Sequence, residues 1–241
     1  MKRILLIPFL AFLIFTVTGC SGLKKLGSIP SELEMALGLK DALSQGLFKG
    51  FDAFADPTGN PLVRFAFPGE ASKIEKTLRD IGLDKTIDQV TGKFTRAMSN
   101  AVSVSKPVFF DAVKSMSIKD AAKILVTDNT HAATDYFKQA MKPDLIKAFR
   151  PIVDSSIKME GADKEWSGIT NIYNSIPFIN KPLESNLTDF ISARVIDIMF
   201  LMVAGEEEQI RTKYELRKTD LMKKVFTYAE RELKRRILQP K

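Results

Sequence analysis

Cysteine is almost absent from this chain: of its 241 residues, only Cys20 is a cysteine. A lone thiol cannot form an internal disulfide, so the fold has to be held by packing alone. Histidine and tryptophan also occur once each. The sequence contains no His-Glu-x-x-His pair, no Gly-x-Ser-x-Gly elbow and no phosphate-binding glycine-rich loop. We therefore expect no catalytic residues, no metal and no cofactor, and we interpret the protein as a non-enzyme.

Long apolar runs are also scarce, and the longest, Ile4–Val17, has 14 residues. A membrane-spanning helix needs about 18 or more such residues. Two basic residues precede the run, and Val17-Thr18-Gly19-Cys20 ends it. This arrangement predicts a lipoprotein signal peptide over residues 1–19, with acyl chains such as palmitate attached to Cys20. A permanent N-terminal membrane helix is the alternative, which the charged Lys24 and Lys25 disfavour.

Residues 20–30 are interpreted as the acylated cysteine and a tether. Ten extended residues reach at most about 35 Å, so the folded body should stay close to lipid. Ser21 follows the cysteine at the position where an Asp would signal retention in the inner membrane. We therefore expect the mature protein to be anchored in the outer membrane of a Gram-negative bacterium, on its periplasmic side.

Acidic residues are few at the C-terminus. The whole chain has a net charge of +7, and residues 217–241 hold nine Lys or Arg against three acidic residues. An apolar stripe runs through the same segment, which predicts a basic amphipathic helix at about residues 217–239. Its candidate contacts to an anionic membrane surface are Lys223, Lys224, Lys234, Arg235 and Arg236. The alternative, which we favour slightly, is a helix docked on the core with a solvated basic face. Nucleic acid is not expected as a partner, because the predicted compartment holds none.

Hydrophobic spacing of three and four residues dominates the rest of the chain. It predicts an all-α fold: a single helical domain over residues 31–241, built as a compact array of about eight to ten short helices, with at most a minimal extended segment near residues 63–67. A capping box formed by Ser31 and Glu34 should start the first helix. Glycines at positions 38, 46 and 50 argue against one straight helix there.

Further helix boundaries follow from local stop signals, among them Pro143. The predicted helices are Ser72–Ile81, Asp84–Val104, Lys106–Met116, Ser117–Val126, Thr130–Met141, Asp144–Lys158, a weaker Glu165–Asn174 and Thr188–Lys213. Residues 175–186 are predicted to form a loop. Thr188–Lys213 is apolar almost all round for three turns, which is typical of a central core helix.

Several short segments, in their order and spacing, resemble those of one bacterial family. They are Gly38–Leu43, Lys73–Leu78, Phe109–Val113, Asp120–Leu125, Ala132–Phe137, Phe200–Ala204 and Glu207–Arg211. The family is catalogued as domain of unknown function 4197, and the resemblance covers about residues 33–226. It implies a secreted or lipid-anchored, mostly helical domain with no assigned reaction. Residues 159–187 and the basic tail beyond Phe226 depart from the family pattern.

The single histidine belongs to the first of two polar clusters. Asp128, His131 and Asp135 would share one side of a helix and could begin a metal site. We favour the simpler interpretation, in which Asp128 caps a helix and His131 lies in its exposed first turn. Asp135 with its neighbours Tyr136 and Lys138 is a further candidate binding spot, more typical of helix packing.

Three successive glutamates, Glu206–Glu208, form the second cluster with Arg211. Carboxylates gathered at the end of an apolar helix could bind a cation or act as acid and base. We favour a solvated turn in which Glu207 and Glu208 reach Arg211 at spacings of four and three residues.

Two functional hypotheses remain. The first is a lipid-anchored, non-enzymatic envelope module that contacts a partner protein or the membrane. The alternative is a carrier of an apolar ligand such as a lipid, suggested by the 17 phenylalanines in a helical array.

Overall fold

A computed structural model describes residues 29–67, 71–175 and 187–238. The predicted signal peptide, Cys20 and nearly all of the tether lie outside these residues, as do most of the predicted loop and the last three residues. Nine α-helices and no strand occur in the described part, which confirms the all-α fold class. The helices are α1 (Glu32–Ala55), α2 (Ala71–Asp80), α3 (Asp84–Val104), α4 (Lys106–Ser115), α5 (Ala121–Leu125), α6 (Ala132–Met159), α7 (Ala162–Asn174), α8 (Thr188–Thr212) and α9 (Asp220–Leu238).

Helix α8 lies at the centre, as its apolar sequence predicted. It packs mainly against α1 and α6, and α3 and α9 also touch it. Buried side chains from all nine helices join in one hydrophobic cluster. None of the described helices is both long and apolar enough to span a bilayer.

The glycines of α1, which in the sequence counted against one straight helix, allow close packing and do not interrupt the helix. A Cβ atom on Gly46 would lie 2.8 Å from the Cα of Val203, and one on Gly50 would lie 2.6 Å from the Sδ of Met199. The positions 38, 46 and 50 are four or eight residues apart, which places them on one side of the helix. The backbones of α1 and α8 therefore approach more closely than side chains would permit. The predicted capping box starts α1, with both Ser31 and Glu34 hydrogen bonds present.

Helix α6 runs through Pro143, so the predicted stop there is wrong. A proline inside a helix costs about 3 kcal/mol. The buried face of α6 continues across it at intervals of four or eight residues, with Phe137, Leu145, Phe149, Val153 and Ile157. Each such side chain contributes roughly 1.5–3 kcal/mol on burial, so a continuous face outweighs the proline.

Helix α5 is shorter than predicted, because Asp120 has a φ of 54° and cannot belong to a right-handed helix.

Residues 63–67 form no strand, but Val63, Phe65 and Phe67 are buried while the residues between them are exposed. The alternation predicted for this segment is thus present, and its aromatic rings pack on the core. Phe65 stacks on Phe94, with ring centroids 4.7 Å apart.

Candidate functional site

Glu207 and Arg211 lie one turn apart near the end of α8. Their ion pair is short, with Arg211 Nη2 2.8 Å from Glu207 Oε1. The side chain of Glu207 is 0% exposed and that of Arg211 is 8% exposed. The pair is therefore part of the protein interior, where an unpaired charge would be costly.

The carboxylate of Glu207 binds the beginning of α6. Its Oε1 accepts a hydrogen bond from Ala133 N at 3.0 Å, and its Oε2 accepts from Thr134 N at 2.8 Å and from Thr134 Oγ1 at 2.7 Å. The first amide groups of a helix have no partner within the helix and carry partial positive charge. Glu207 satisfies two of them and thereby caps α6 from a different helix.

The guanidinium of Arg211 binds the end of α5. Its Nη1 donates to the carbonyl of Leu125 at 2.9 Å, and its Nη2 donates to that of Ile124 at 2.9 Å. These carbonyls belong to the last turn of α5, which carries partial negative charge. Together, Glu207 and Arg211 hold both ends of the short connection between α5 and α6 against α8.

The interpretation of this cluster as a solvated turn is wrong for Glu207 and Arg211. The i, i+4 pairing of the two residues is as predicted, but it takes place in the core. Glu208 is the exposed member of the three glutamates, and no hydrogen bond of its carboxylate occurs among the described residues. Glu206 is only 9% exposed and accepts from Gln45 Nε2 at 2.7 Å. The sequence pattern could not show which glutamate faces inward, because α8 is covered on more than one side.

Arg217 is a buried residue that the sequence did not single out. Its side chain is 0% exposed and follows the end of α8. It donates to the carbonyls of Ile210 at 2.9 Å and Arg211 at 3.1 Å, and it pairs with Glu230 at 3.2 Å. The ring of Phe226 lies 5.6 Å from the Arg211 guanidinium and 6.0 Å from that of Arg217. These contacts anchor α9 to the end of α8.

His131 and Asp135 do not converge on a site. His131 precedes α6 as its N-terminal flanking residue, and its Nδ1 lies 3.2 Å from the carbonyl of Ala204. Asp135 accepts from Asn129 Nδ2 at 2.9 Å. Asp128 makes no capping bond to α6, so its predicted role as a cap is wrong. The described ranges contain no group of three His, Cys, Asp or Glu residues that could hold a metal ion.

The predicted basic helix is α9, and its apolar stripe is docked on α1, α5 and α8. Its five candidate cations form two groups, which lie about 16 Å apart along the helix. In the first group, Lys224 pairs with Glu34 at 2.6 Å, and Lys223 pairs with Asp220 at 3.4 Å. The second group is exposed: Lys234, Arg235, which pairs with Glu232, and Arg236, which donates to the carbonyl of Val126 at 3.2 Å.

No curated protein and no solved structure matches the chain. One family does, and the match extends over residues 30–227, from the residue before the capping box of α1 into the docked part of α9. The buried cluster of Glu207, Arg211 and Arg217 lies within it, and residues 228–238 lie beyond it. The chain belongs to the family described as Protein of unknown function (DUF4197).

Proposed function

We propose that this protein is a lipid-anchored, non-enzymatic module of the bacterial envelope, and that the first two turns of α1 rest on the membrane surface. The lipobox, which is the segment Val17-Thr18-Gly19-Cys20 at the end of the predicted signal peptide, supports a lipid anchor. The absence of Asp after Cys20 supports the outer membrane, with the protein facing the periplasm. The tether allows at most about 35 Å between the anchor and Pro30. The residues nearest to the tether are therefore the ones that meet lipid first.

The exposed leucines at the start of α1 carry this proposal. Leu33 is 69% exposed and Leu37 is 44% exposed, and Ile29 just before the helix is 76% exposed. Leu33 and Leu37 are one turn apart on the same side of the helix. Exposed apolar groups in a cluster favour a contact with lipid or another apolar surface. Because they follow the tether directly, we assign the membrane as that surface.

Lysines lie beside this apolar stripe. On the helical wheel of α1, Leu33 and Leu37 fall between Lys40 on one side and Glu34 on the other. Lys224 pairs with Glu34, and Lys40 donates to the carbonyl of Lys114, whose own side chain is 77% exposed. Apolar side chains flanked by lysines are typical of surfaces that contact anionic lipid headgroups.

The polar cluster of α8 gives no support to an enzyme. Both oxygens of Glu207 accept hydrogen bonds from at least two donors, and the residue is closed to solvent. A general base needs an accessible lone pair within reach of a substrate. Glu207 and Arg211 serve instead to join α5, α6 and α8.

The phenylalanine content gives little support to the carrier alternative. Many of the rings pack on one another, as in the contacts of Phe109 with Phe149 and of Phe137 with Phe200, whose centroids lie 6.0 and 5.3 Å apart. Such edge-to-face pairs are ordinary core packing.

Photocrosslinking in intact cells tests the proposed membrane face. The full chain would carry a photoreactive phenylalanine analogue at Leu33 or at Leu37. We expect phospholipid adducts at both positions, detected by mass spectrometry. A matched control places the analogue at Ile81, which is 60% exposed at the end of α2.

The outcomes of this experiment are distinct. Lipid adducts at Leu33 and Leu37 that exceed those at Ile81 support the proposal. Equal lipid adducts at Ile81 would mean that the chain meets lipid without orientation, and the membrane face would be wrong. A single protein adduct at Leu33, without lipid, would replace the membrane by an envelope partner protein.

A further inference from the structure

Arg194 on α8 is a cation for which the described residues supply no partner. Its Nε is buried and has no hydrogen-bond acceptor, and within the described residues its guanidinium forms no ion pair. This contrasts with Arg211 at the other end of the same helix and with Arg217 just beyond it, whose guanidinium groups bind carbonyls and carboxylates. A guanidinium with unused donors is suited to a carboxylate or phosphate, which it can bind through two parallel hydrogen bonds.

The nearest carboxylate on the same helix is already occupied. Asp197, three residues after Arg194, lies 2.6 Å from Lys142 Nζ and 3.6 Å from Lys138 Nζ. Asp197 is thus already paired with two lysines, and no ion pair between it and Arg194 occurs among the described residues. An anion from outside the chain would be attracted to this place.

Arg194 lines a groove that has mostly apolar walls. It has a volume of about 410 Å³, and Leu62, Phe190, Ile198 and Leu201 line it together with Arg194 and Asp197. Small-molecule sites are typically about 300–1,000 Å³ in volume and mostly apolar, with few polar groups. Phe190, Arg194, Ile198 and Leu201 lie on one side of α8, because they are four, four and three residues apart.

The walls of the groove are held in place by the fold. Leu62 belongs to a short 3₁₀ turn, residues 61–63, and its amide donates to Asn60 Oδ1 at 3.0 Å. The ring of Phe190 packs edge-on against Phe65, with centroids 6.4 Å apart. Leu62 and Leu201 nevertheless remain 49% and 55% exposed. The groove thus presents apolar side chains to solvent, next to the guanidinium of Arg194.

We infer that this groove binds an anionic single-chain amphiphile, a long-chain carboxylate, with its headgroup on Arg194 and its chain along Ile198 and Leu201. The inference is independent of the proposed membrane face, which uses α1. The ligand site is an open surface groove. Arg194 favours a negatively charged headgroup, and Leu62 and Leu201 contact the apolar chain of the ligand.

Photolabelling of the full chain in isolated envelope membranes tests this site. The probe is a twelve-carbon carboxylic acid that carries a diazirine in its chain and a terminal alkyne. We expect it to label two tryptic peptides, residues 50–64 and 195–211, which contain Leu62 of the 3₁₀ turn and Asp197, Ile198 and Leu201 of α8. The corresponding twelve-carbon alcohol, which lacks the charge, should label them at least tenfold less.

Substitutions then distinguish a specific effect of Arg194 from an effect of net positive charge. Arg194→Gln should reduce carboxylate labelling about tenfold or more, because it removes a charge-assisted hydrogen bond. The substitution also removes the tryptic site before residue 195, so the label on α8 is read in this variant on the peptide of residues 165–211. Leu201→Ser should also reduce it, through loss of an apolar wall. The matched control is Arg150→Gln, which removes an exposed arginine of α6 that pairs with Asp189 of α8 at 2.7 Å but does not line the groove. The control should label as the unchanged chain does.

Three results would overturn the inference. They are equal labelling by the alcohol and the acid, adducts spread over peptides other than these two, and an equal loss of labelling in Arg150→Gln and Arg194→Gln. Limited proteolysis of each variant checks that its fold is intact, and Leu201→Ser supplies a second variant in which Arg194 is retained.

Discussion

Glu207 and Arg211, one turn apart on α8, bind the ends of two different helices while they pair with each other. The carboxylate caps the amino end of α6, and the guanidinium caps the carboxyl end of α5. The helix-end charges and the side-chain charges have opposite signs at both contacts. One ion pair thus fixes three helices, in a position where the sequence suggested a solvated turn.

Removal of Glu207 should destabilise the protein strongly. Glu207→Ala leaves Arg211 as a buried charge without its carboxylate, which costs about 3–5 kcal/mol in the free energy of unfolding. Urea denaturation followed by circular dichroism measures this loss. Glu208→Gln is the matched control: its side chain is exposed, so we expect a change within about 0.5 kcal/mol. Similar losses in both variants would contradict the role assigned to Glu207.

A methyl group at Gly46 should push α1 and α8 apart. In Gly46→Ala, the new Cβ meets the Val203 backbone at 2.8 Å, which no side-chain rotation can relieve. Overpacking of this kind costs about 1–3 kcal/mol, and we expect a lower thermal midpoint. The control is Gly205→Ala on α8, where nothing lies within 4 Å of the new atom. That substitution should raise stability by about 0.5–1 kcal/mol, because alanine favours a helix.

The contact between α1 and α9 should weaken in acid. The hydrogen bond from Lys224, helped by the Ser31 amide, holds the pKa of the Glu34 carboxyl below its ordinary value of 4.5. Because the folded pKa is the lower one, the stabilisation is present above pH 4.5 and is lost as the pH falls through the folded value. Denaturation midpoints of the unchanged chain and of Glu34→Gln should therefore converge below that pH. If the denaturation midpoints of the two proteins differed by the same amount at pH 7 and in acid, the contribution of Glu34 would be contradicted.

Cys20→Ser should abolish anchoring. Without the thiol, no acyl chain can be attached, and we expect an unlipidated, poorly processed precursor. Metabolic labelling with palmitate and membrane fractionation would show this. Mature protein that still fractionates with the outer membrane would rule out the lipobox.

Pro143 and the glycines of α1 show where sequence patterns and tertiary structure disagree. Pro143 and Gly46 are local signals against a helix, yet both lie inside long helices. In α6 the buried face extends on both sides of the proline, and in α1 the glycines permit close contact with α8. The local sequence shows only the cost of a proline or glycine in a helix, whereas the compensating contacts come from other helices, as in the contacts of Phe149 with Phe109 and of Gly46 with Val203.

Helix α9 shows the same difference between what a sequence pattern predicts and what the tertiary structure decides. Its amphipathic pattern predicted a helix with an apolar stripe, and α9 has both. The pattern could not decide between membrane and core as the partner of that stripe. The structure docks it on α1, α5 and α8, since Val225 fits against Gly38 and Phe226 lies against two arginines.

The sequence by itself determined the all-α class, the start of α1 at its capping box, the central position of α8 and the family. These properties depend on local periodicity, on caps and on the order of short motifs, all of which can be read within a few turns of helix. Only the tertiary structure decided that Glu207 is buried, that Arg217 is a structural residue and that Arg194 finds no partner in the part of the chain that the structure describes. The reason is physical: burial and pairing of a charge depend on which distant helix covers it, and the periodicity of one helix does not contain that information.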